Sequence, residues 1–229
     1  MGNFTKRLTE RRMHTEIAQG YCLICGNYGR LSWDHVPPQG SIIITKVEQV
    51  HLTEVMGIDP IPVQGVKSPN GSKFKTICKA CNSNHLGSND QEVARVYKEL
   101  TKLVAHHFAY ASNHLNYVTL PFDPVRFCRA MIGHVLSATT VDECKREPIE
   151  TPYFTPIQKF VMGDAATIDS THDMYCWFYP HHHHLSAKMF AFKNSSNICT
   201  ISVLSFFPLA FSITEKGKGI YPSDRKSVV

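Results

Sequence analysis

The spacing of apolar residues divides the chain into a helical stretch followed by a stretch of strands. Beyond residue 90, apolar side chains recur every three or four positions to about Ser112, which predicts an amphipathic helix. Ser88 to Gln91 has the form of a capping box at its start. Asp123-Pro124 is typical of a helix cap followed by a first-turn proline, and predicts a second helix that ends near Thr139.

From about residue 150 the pattern changes to segments rich in aromatic and β-branched residues, separated by turn residues. Three segments stand out: DMYCWFYP, SAKMFAFK and ICTISVLSFFPLAFSITE. They predict three or four strands. Four consecutive histidines, 181 to 184, lie between two of these segments and are expected in a hairpin loop, with a transient metal site there as the weaker alternative.

Composition places the chain among ordinary globular proteins. It has 229 residues, of which 43% are hydrophobic and 19% charged. The longest apolar-rich run, about Ile198 to Ile213, is too short and too interrupted to cross a bilayer. The first residues, MGNFTKRLTERRMHTE, are charged and lack the apolar core of a signal peptide. We therefore expect a cytoplasmic protein with no membrane partner.

The positive charge is concentrated near the N-terminus. Residues 1 to 81 hold 10 Lys and Arg against 6 Asp and Glu, whereas residues 82 to 229 hold 14 against 13. A basic N-terminal third favours a polyanionic partner such as nucleic acid. A solvated basic face with no partner is the open alternative.

The eight cysteines fall into two groups by spacing. Cys22 and Cys25 form one C-x-x-C pair, and Cys78 and Cys81 form a second. Two such turns can aim four thiolates at one tetrahedral ion, so they predict a structural zinc site. Redox-active C-x-x-C pairs are the alternative. The other four cysteines are expected to be small buried residues: Cys128, Cys144, Cys176 and Cys199.

The residues between and after the two pairs resemble a zinc-stapled HNH endonuclease. Over about residues 20 to 90 the chain reads C-x-x-C, then D-H-V-P-P, then C-x-x-C-N-S-N-H-L-G. The resemblance implies a treble-clef or ββα-metal unit. LSWDHV would be its first strand, FKTIC a second strand, and its helix would begin close to Asn82. The expected fold class is α+β, with this unit followed by helices and a mainly antiparallel β region.

The resemblance also implies a catalytic centre. His35 would be the general base, which suits a neutral imidazole at neutral pH. Asp34 and Asn82 would hold a catalytic Mg²⁺ or Mn²⁺ through oxygen. The peptide oxygen of Trp33 or Val36 would orient the His35 ring.

Further residues are secondary candidates. His85 and Asn84 could approach the metal or the phosphate, or lie as polar residues on the helix. Asn70 is the nearest candidate for the family's middle asparagine. The 52 residues between Cys25 and Cys78 predict an insertion. Lysines in or near it are candidate contacts to the phosphates of nucleic acid: Lys67, Lys73 and Lys75.

These observations predict two parts, a nuclease unit over residues 1–90 and a helical and α+β region over residues 91–229. The expected function is metal-dependent hydrolysis of phosphodiester bonds, in DNA more than RNA. By analogy with HNH proteins that carry such additional regions, it would serve in bacterial restriction or antiviral defence, with a regulatory protein or a second copy of the chain as a further partner. The alternative is a non-catalytic zinc module that binds DNA or a protein.

Overall fold

The computed structural model describes residues 17–42, 48–50, 66–67, 72–109, 117–166, 168–194, 197–218 and 226–227. The strands are β1 (Gln19–Tyr21), β2 (Tyr28–Val36), β3 (Glu48–Val50), β4 (Val66–Lys67), β5 (Ser72–Cys78), β6 (His172–Phe178), β7 (His183–Asn194), β8 (Asn197–Phe206), β9 (Leu209–Glu215) and β10 (Lys226–Ser227). The α-helices are α1 (Gly87–Ala109), α2 (Pro124–Ser137), α3 (Phe154–Met162) and α4 (Ile168–Thr171).

A small antiparallel sheet forms the N-terminal part, with strand order β1-β2-β5. The predicted strands LSWDHV and FKTIC are confirmed as parts of β2 and β5. Leu31 pairs with Cys78 and His35 pairs with Lys73, and the register shifts between Ser32 and Asp34. Such an irregularity bends a strand and re-aims its side chains. It lies immediately before the Asp-His pair.

The helix after β5 begins earlier than the capping-box pattern predicted. Helical backbone starts at Lys79, widens into a π-helical segment over Cys81–Leu86, and continues directly as α1. The prediction of a separate helix start at Ser88 is therefore wrong, because the Ser88 hydroxyl donates to the carbonyl of Asn84 one turn earlier inside the same helix. The prediction of a helix start near Asn82 is confirmed to within a turn.

The second predicted helix is confirmed as α2. The carboxylate of Asp123 accepts a hydrogen bond from the backbone N–H of Arg126, and Pro124 occupies the first turn. The helix is buried along most of its length and packs against α1, β2 and the π-helical segment. Among the described residues, no helix combines the length and the apolar character needed to cross a membrane.

The C-terminal strands form a second sheet of seven strands, in the order β10-β6-β9-β8-β7-β3-β4. Neighbouring strands are antiparallel except for β3 and β7, which are parallel. The expected α+β class with a mainly antiparallel C-terminal region is thus confirmed. His181 and His182 lie in the loop before β7, as predicted, whereas His183 and His184 already belong to the strand.

One hydrophobic core joins the small sheet, the helices and the large sheet. It includes Tyr97 from α1, Met131 from α2 and Phe211 from β9. Leu31 and Ile77 join it from the antiparallel pair of strands β2 and β5, which we call the hairpin although β3 and β4 lie between them in the chain. The division predicted at residue 90 falls within α1, so this helix belongs to both predicted parts. Burial of large apolar side chains in one cluster is the main favourable contribution to such a fold.

The close approach of α2 to the π-helical segment generates the first prediction. A Cβ atom added at Gly133 would lie 2.1 Å from Cδ2 of the buried Leu86. We expect Gly133→Ala to lower the free energy of unfolding, because overpacking costs about 1–3 kcal/mol while alanine gains only about 1 kcal/mol in helix propensity. Urea denaturation measures this. Gly29→Ala is the control, since no atom of the described residues lies within 4 Å of its added Cβ. An unchanged or raised urea midpoint for Gly133→Ala would contradict the tight contact.

Candidate metal centre and hairpin site

Four cysteine sulfurs meet at the end of the hairpin. The Sγ atoms of Cys22, Cys25, Cys78 and Cys81 all lie within 4.8 Å of one another, and those of Cys25 and Cys78 are 3.9 Å apart. Zinc–sulfur bonds of about 2.3 Å in a tetrahedron place the sulfurs about 3.8 Å apart. The predicted cluster is therefore present and could hold a zinc ion. It is the one group of metal-ligating His, Cys, Asp or Glu side chains in the part of the chain that the structure describes.

The first cysteine pair lies on a tight turn between β1 and β2. Gly26 has φ of 76°, in the left-handed region that favours glycine, and its N–H donates to the carbonyl of Cys22 at 2.8 Å. The N–H of Cys22 donates to the carbonyl of Asn27 at 3.0 Å. These bonds fold the backbone so that both thiols point to one side.

The second pair is aligned by the end of β5 and the first turn of the helix. The N–H of Cys78 donates to Sγ of Cys22 at 3.3 Å, and the N–H of Cys81 donates to Sγ of Cys78 at 3.4 Å. Backbone N–H groups directed at sulfur stabilise negative charge on it, as ligand thiolates require. The donor set and its hydrogen bonds thus fit a thiolate metal site.

The pKa values of the cluster cysteines also fit a thiolate metal site. A hydrogen bond from Cys81, opposed by burial, lowers the pKa of Cys22 to about 5. Burial raises the pKa of Cys25 to about 11, and the hydrogen bond with Cys22 raises the pKa of Cys81. Four sulfurs at this spacing repel one another when ionised, so a cation is needed for all of them to become thiolates.

The two residues of the Asp-His pair face opposite sides of β2. Asp34 and Val36 are buried, whereas Trp33 is exposed and His35 is half-buried. Successive side chains of a strand alternate between its faces, so the acid points to the interior while the imidazole points outward. Burial lowers the pKa of His35, and the positive charge of Lys73 lowers it further. The imidazole is therefore neutral at neutral pH.

Asp34 takes part in a buried polar network that the sequence did not reveal. Its Oδ2 atom accepts hydrogen bonds from the Ser137 hydroxyl and from Nδ1 of His134, at 3.0 Å for the histidine. Nε2 of His134 lies 2.8 Å from Oδ1 of Asp90. Burial by itself would lower the pKa of His134, but the carboxylates of Asp34 and Asp90 raise it to about 10. A protonated imidazole donating to both carboxylates satisfies this geometry.

Asn82 connects the helix start to the strand that carries the Asp-His pair. Its Nδ2 atom donates to the carbonyl of Trp33 at 2.7 Å and to the hydroxyl of Ser32 at 3.1 Å. The Trp33 carbonyl was one of two oxygens expected to orient His35, but in the structure it accepts from Asn82. No hydrogen bond to the His35 ring is formed among the described residues.

The remaining predicted site residues lie on different elements of the fold. Asn84 is exposed and His85 is half-buried on the π-helical segment, and neither is hydrogen-bonded to Asp34 or His35 among the described residues. Lys73 is exposed and Lys75 half-buried on β5. The backbone of Lys67 belongs to β4 in the other sheet, and its side chain lies outside the described set, as does all of Asn70.

Comparison of the chain with family models, with curated proteins and with solved structures gives no match. The resemblance to HNH nucleases therefore depends on the motif residues, and the structure supports its coarser part: an α+β fold with a cysteine cluster that could hold zinc.

The residues that sequence reasoning missed are His134, Asp90 and Ser137. His134 is buried and lies between the carboxylates of Asp34 and Asp90. The signal available was the spacing of His134 and Ser137, which places them on one face of a helix. No local pattern indicates that this face meets Asp34.

The network generates a prediction about stability. His134→Ala should lower the free energy of unfolding by about 3–5 kcal/mol, because it leaves the buried Asp34 carboxylate without its cationic partner. Chemical denaturation at pH 7 measures the change. His182→Ala, at an exposed loop position, should alter stability by less than about 0.5 kcal/mol. Equal effects of the two substitutions would show that the pairing does not stabilise the fold.

The cysteine cluster generates a third prediction, on metal content. We expect one zinc per chain by elemental analysis, and Cys25→Ala should abolish it. Structural zinc supplies about 10–16 kcal/mol of binding free energy, so a strong chelator should unfold the N-terminal sheet. Cys199→Ala, at a buried position outside the cluster, is the matched control and should retain its zinc. Metal-free protein of undiminished stability would refute the assignment.

Proposed function

We propose that this chain is a metal-dependent endonuclease with a structural zinc site at its cysteine cluster. The observation that carries the proposal is the hydrogen bond from Asn82 to the Trp33 carbonyl. This bond holds the side chain that directly follows the last cysteine of the cluster, Cys81, against the strand segment that bears Asp34 and His35. A base and two oxygen donors from distant parts of the chain are the groups that metal-assisted phosphodiester hydrolysis requires.

His35 has the protonation state and the access that a general base needs. Its lowered pKa keeps the imidazole neutral at pH 7, and its half-exposed position on the outer face of β2 allows water and a phosphate to reach it. It would take the proton of the attacking water. Lys73, directly opposite on β5, would attract the phosphate.

The side-chain oxygens of Asp34 and Asn82 that accept no described hydrogen bond would be ligands of a divalent ion. The described hydrogen bonds to the Asp34 carboxylate fall on Oδ2, and those of the Asn82 side chain use its Nδ2. Oδ1 of each residue would hold Mg²⁺ or Mn²⁺, which prefer oxygen ligands. Such an ion, when bound, neutralises charge on the scissile phosphate and the leaving oxygen.

A non-catalytic zinc module is the second candidate, and a specific observation favours it. Asp34 is 3% exposed, and one of its carboxylate oxygens accepts hydrogen bonds from His134 and Ser137 of the interior. In this alternative the acid stabilises the fold, and the basic face of the hairpin binds nucleic acid or a protein without cutting.

One assay distinguishes the nuclease from the non-catalytic zinc module. Purified full-length protein is incubated with supercoiled plasmid and Mg²⁺ or Mn²⁺. We expect nicking that stops when the divalent ion is omitted and falls about 100- to 10,000-fold in His35→Ala, the range typical of a lost general base. Asn82→Ala should also lose activity, whereas the exposed control His182→Ala should cut like the wild type.

The same preparations are tested for retention of labelled plasmid DNA. If wild type and His35→Ala retain DNA equally and neither cuts, the binding module is correct. Parallel reactions with single-stranded DNA and with RNA decide which nucleic acid is the substrate.

A further inference from the structure

The outer face of the β2–β5 hairpin carries an exposed tryptophan beside the proposed catalytic histidine. The Trp33 side chain is 46% exposed, and His35 follows it by two positions on the same strand. Two strand positions span about 7 Å and return to the same face. The indole and the imidazole are therefore neighbours on one solvent-facing surface.

Two lysines of β5 complete this surface. Nζ of Lys75 lies 5.5 Å from the centre of the Trp33 ring, and Lys73 pairs directly with His35 across the strands. Directly paired residues of antiparallel strands point to the same face. We call the surface formed by Trp33, His35, Lys73 and Lys75 the hairpin face.

The charge of the hairpin face is positive. Strands β2 and β5 contain three basic residues, Arg30, Lys73 and Lys75, and a single acidic one, Asp34. Asp34 is buried on the other side and paired with His134. The surface charge that these two strands contribute is therefore basic, and basic side chains attract phosphate.

We propose that Trp33 is a stacking platform for an unpaired base, and that the hairpin face accepts single-stranded nucleic acid or a strand with an extruded base. The inference rests on the proposed function and names the substrate class of the same site. An exposed aromatic ring flanked by lysines is the combination that binds single strands without sequence preference. Paired bases stacked within a duplex keep their ring faces covered and cannot lie on an indole.

The residues around Trp33 would contact different parts of the bound strand. A base stacked on Trp33 leaves its own backbone phosphates within reach of Lys73 and Lys75, whose contacts position the strand without reading sequence. His35, about 7 Å along β2 from Trp33, then lies beside the backbone and not beside the base. Trp33 is thus a positioning residue, since it acts on the substrate's placement and not on the bond that breaks.

Tryptophan fluorescence tests the proposal directly. The chain has two tryptophans, so Trp177→Phe leaves Trp33 as the sole indole. This full-length variant is titrated with a 12-nucleotide oligothymidylate and with a 12-base-pair duplex, without added divalent ions so that no cutting occurs. We expect quenching by the single strand and little by the duplex. Equal quenching by both, or none by the single strand, would overturn the proposal.

Affinity provides the second readout, from anisotropy of a labelled single strand. Trp33→Leu should weaken binding about 5- to 140-fold, which corresponds to the usual contribution of one stacked base, while Trp33→Phe should retain part of the affinity. Tyr28→Leu is the matched control, because Tyr28 is an exposed aromatic residue of the same strand. It should bind like the wild type. If Trp33→Leu also binds like the wild type, Trp33 is not a platform.

Salt dependence separates stacking from charge. Lys73→Gln should lower the slope of log affinity against log salt by about 0.7 for a single strand, while the Trp33 quenching at saturation persists. An unchanged slope would remove Lys73 from the phosphate contacts. An oligouridylate arm distinguishes RNA from DNA as the preferred single strand.

The outcomes distinguish this inference from the proposed activity. If the wild type binds single strands but never cuts, and Trp33→Leu loses that binding, the platform is supported and the nuclease is refuted. Wild-type protein that cuts duplex plasmid, with Trp33→Leu cutting equally well, supports the nuclease and refutes the platform.

Discussion

The meeting of four cysteine sulfurs from two distant turns is the contact on which the N-terminal structure depends. The pairs are separated by 52 residues, yet their sulfurs lie within 4.8 Å of one another. Closing a loop of this length costs entropy that grows only slowly with length, and an ion bound by all four sulfurs would repay it. At this end of the hairpin Leu31 pairs with Cys78, and the long helix begins directly after β5.

A second connection extends from the hairpin into the helical layer. His134 and Ser137 of α2 hydrogen-bond to Asp34, and His134 also pairs with Asp90 of α1. A buried charge is tolerated only when it is paired and hydrogen-bonded. This requirement makes the packing of the two helices and the orientation of the β2 acid mutually dependent. Gly133, one residue from His134, lets α2 approach Leu86 closely enough for the pairing to form.

The alternation of side chains along β2 gives two neighbouring residues different environments. Asp34 faces α2 and stabilises the interior, whereas His35 faces outward with Trp33 and the β5 lysines. The same strand therefore combines a stabilising network on one face with a positively charged, aromatic surface on the other. The C-terminal sheet contributes to the core that supports α2, through residues such as Phe211 and Leu204.

The sequence by itself determined the parts that depend on local chemistry. Paired cysteine turns indicated the cysteine cluster, apolar spacing indicated α2 and the C-terminal strands, and Asp123-Pro124 marked a helix start. Only the tertiary structure decided which distant groups meet. It made one helix of Lys79 to Ala109, assigned Lys67 to the other sheet and buried His134 against Asp34. Such contacts arise from packing between elements, and no pattern within a short segment encodes its partner.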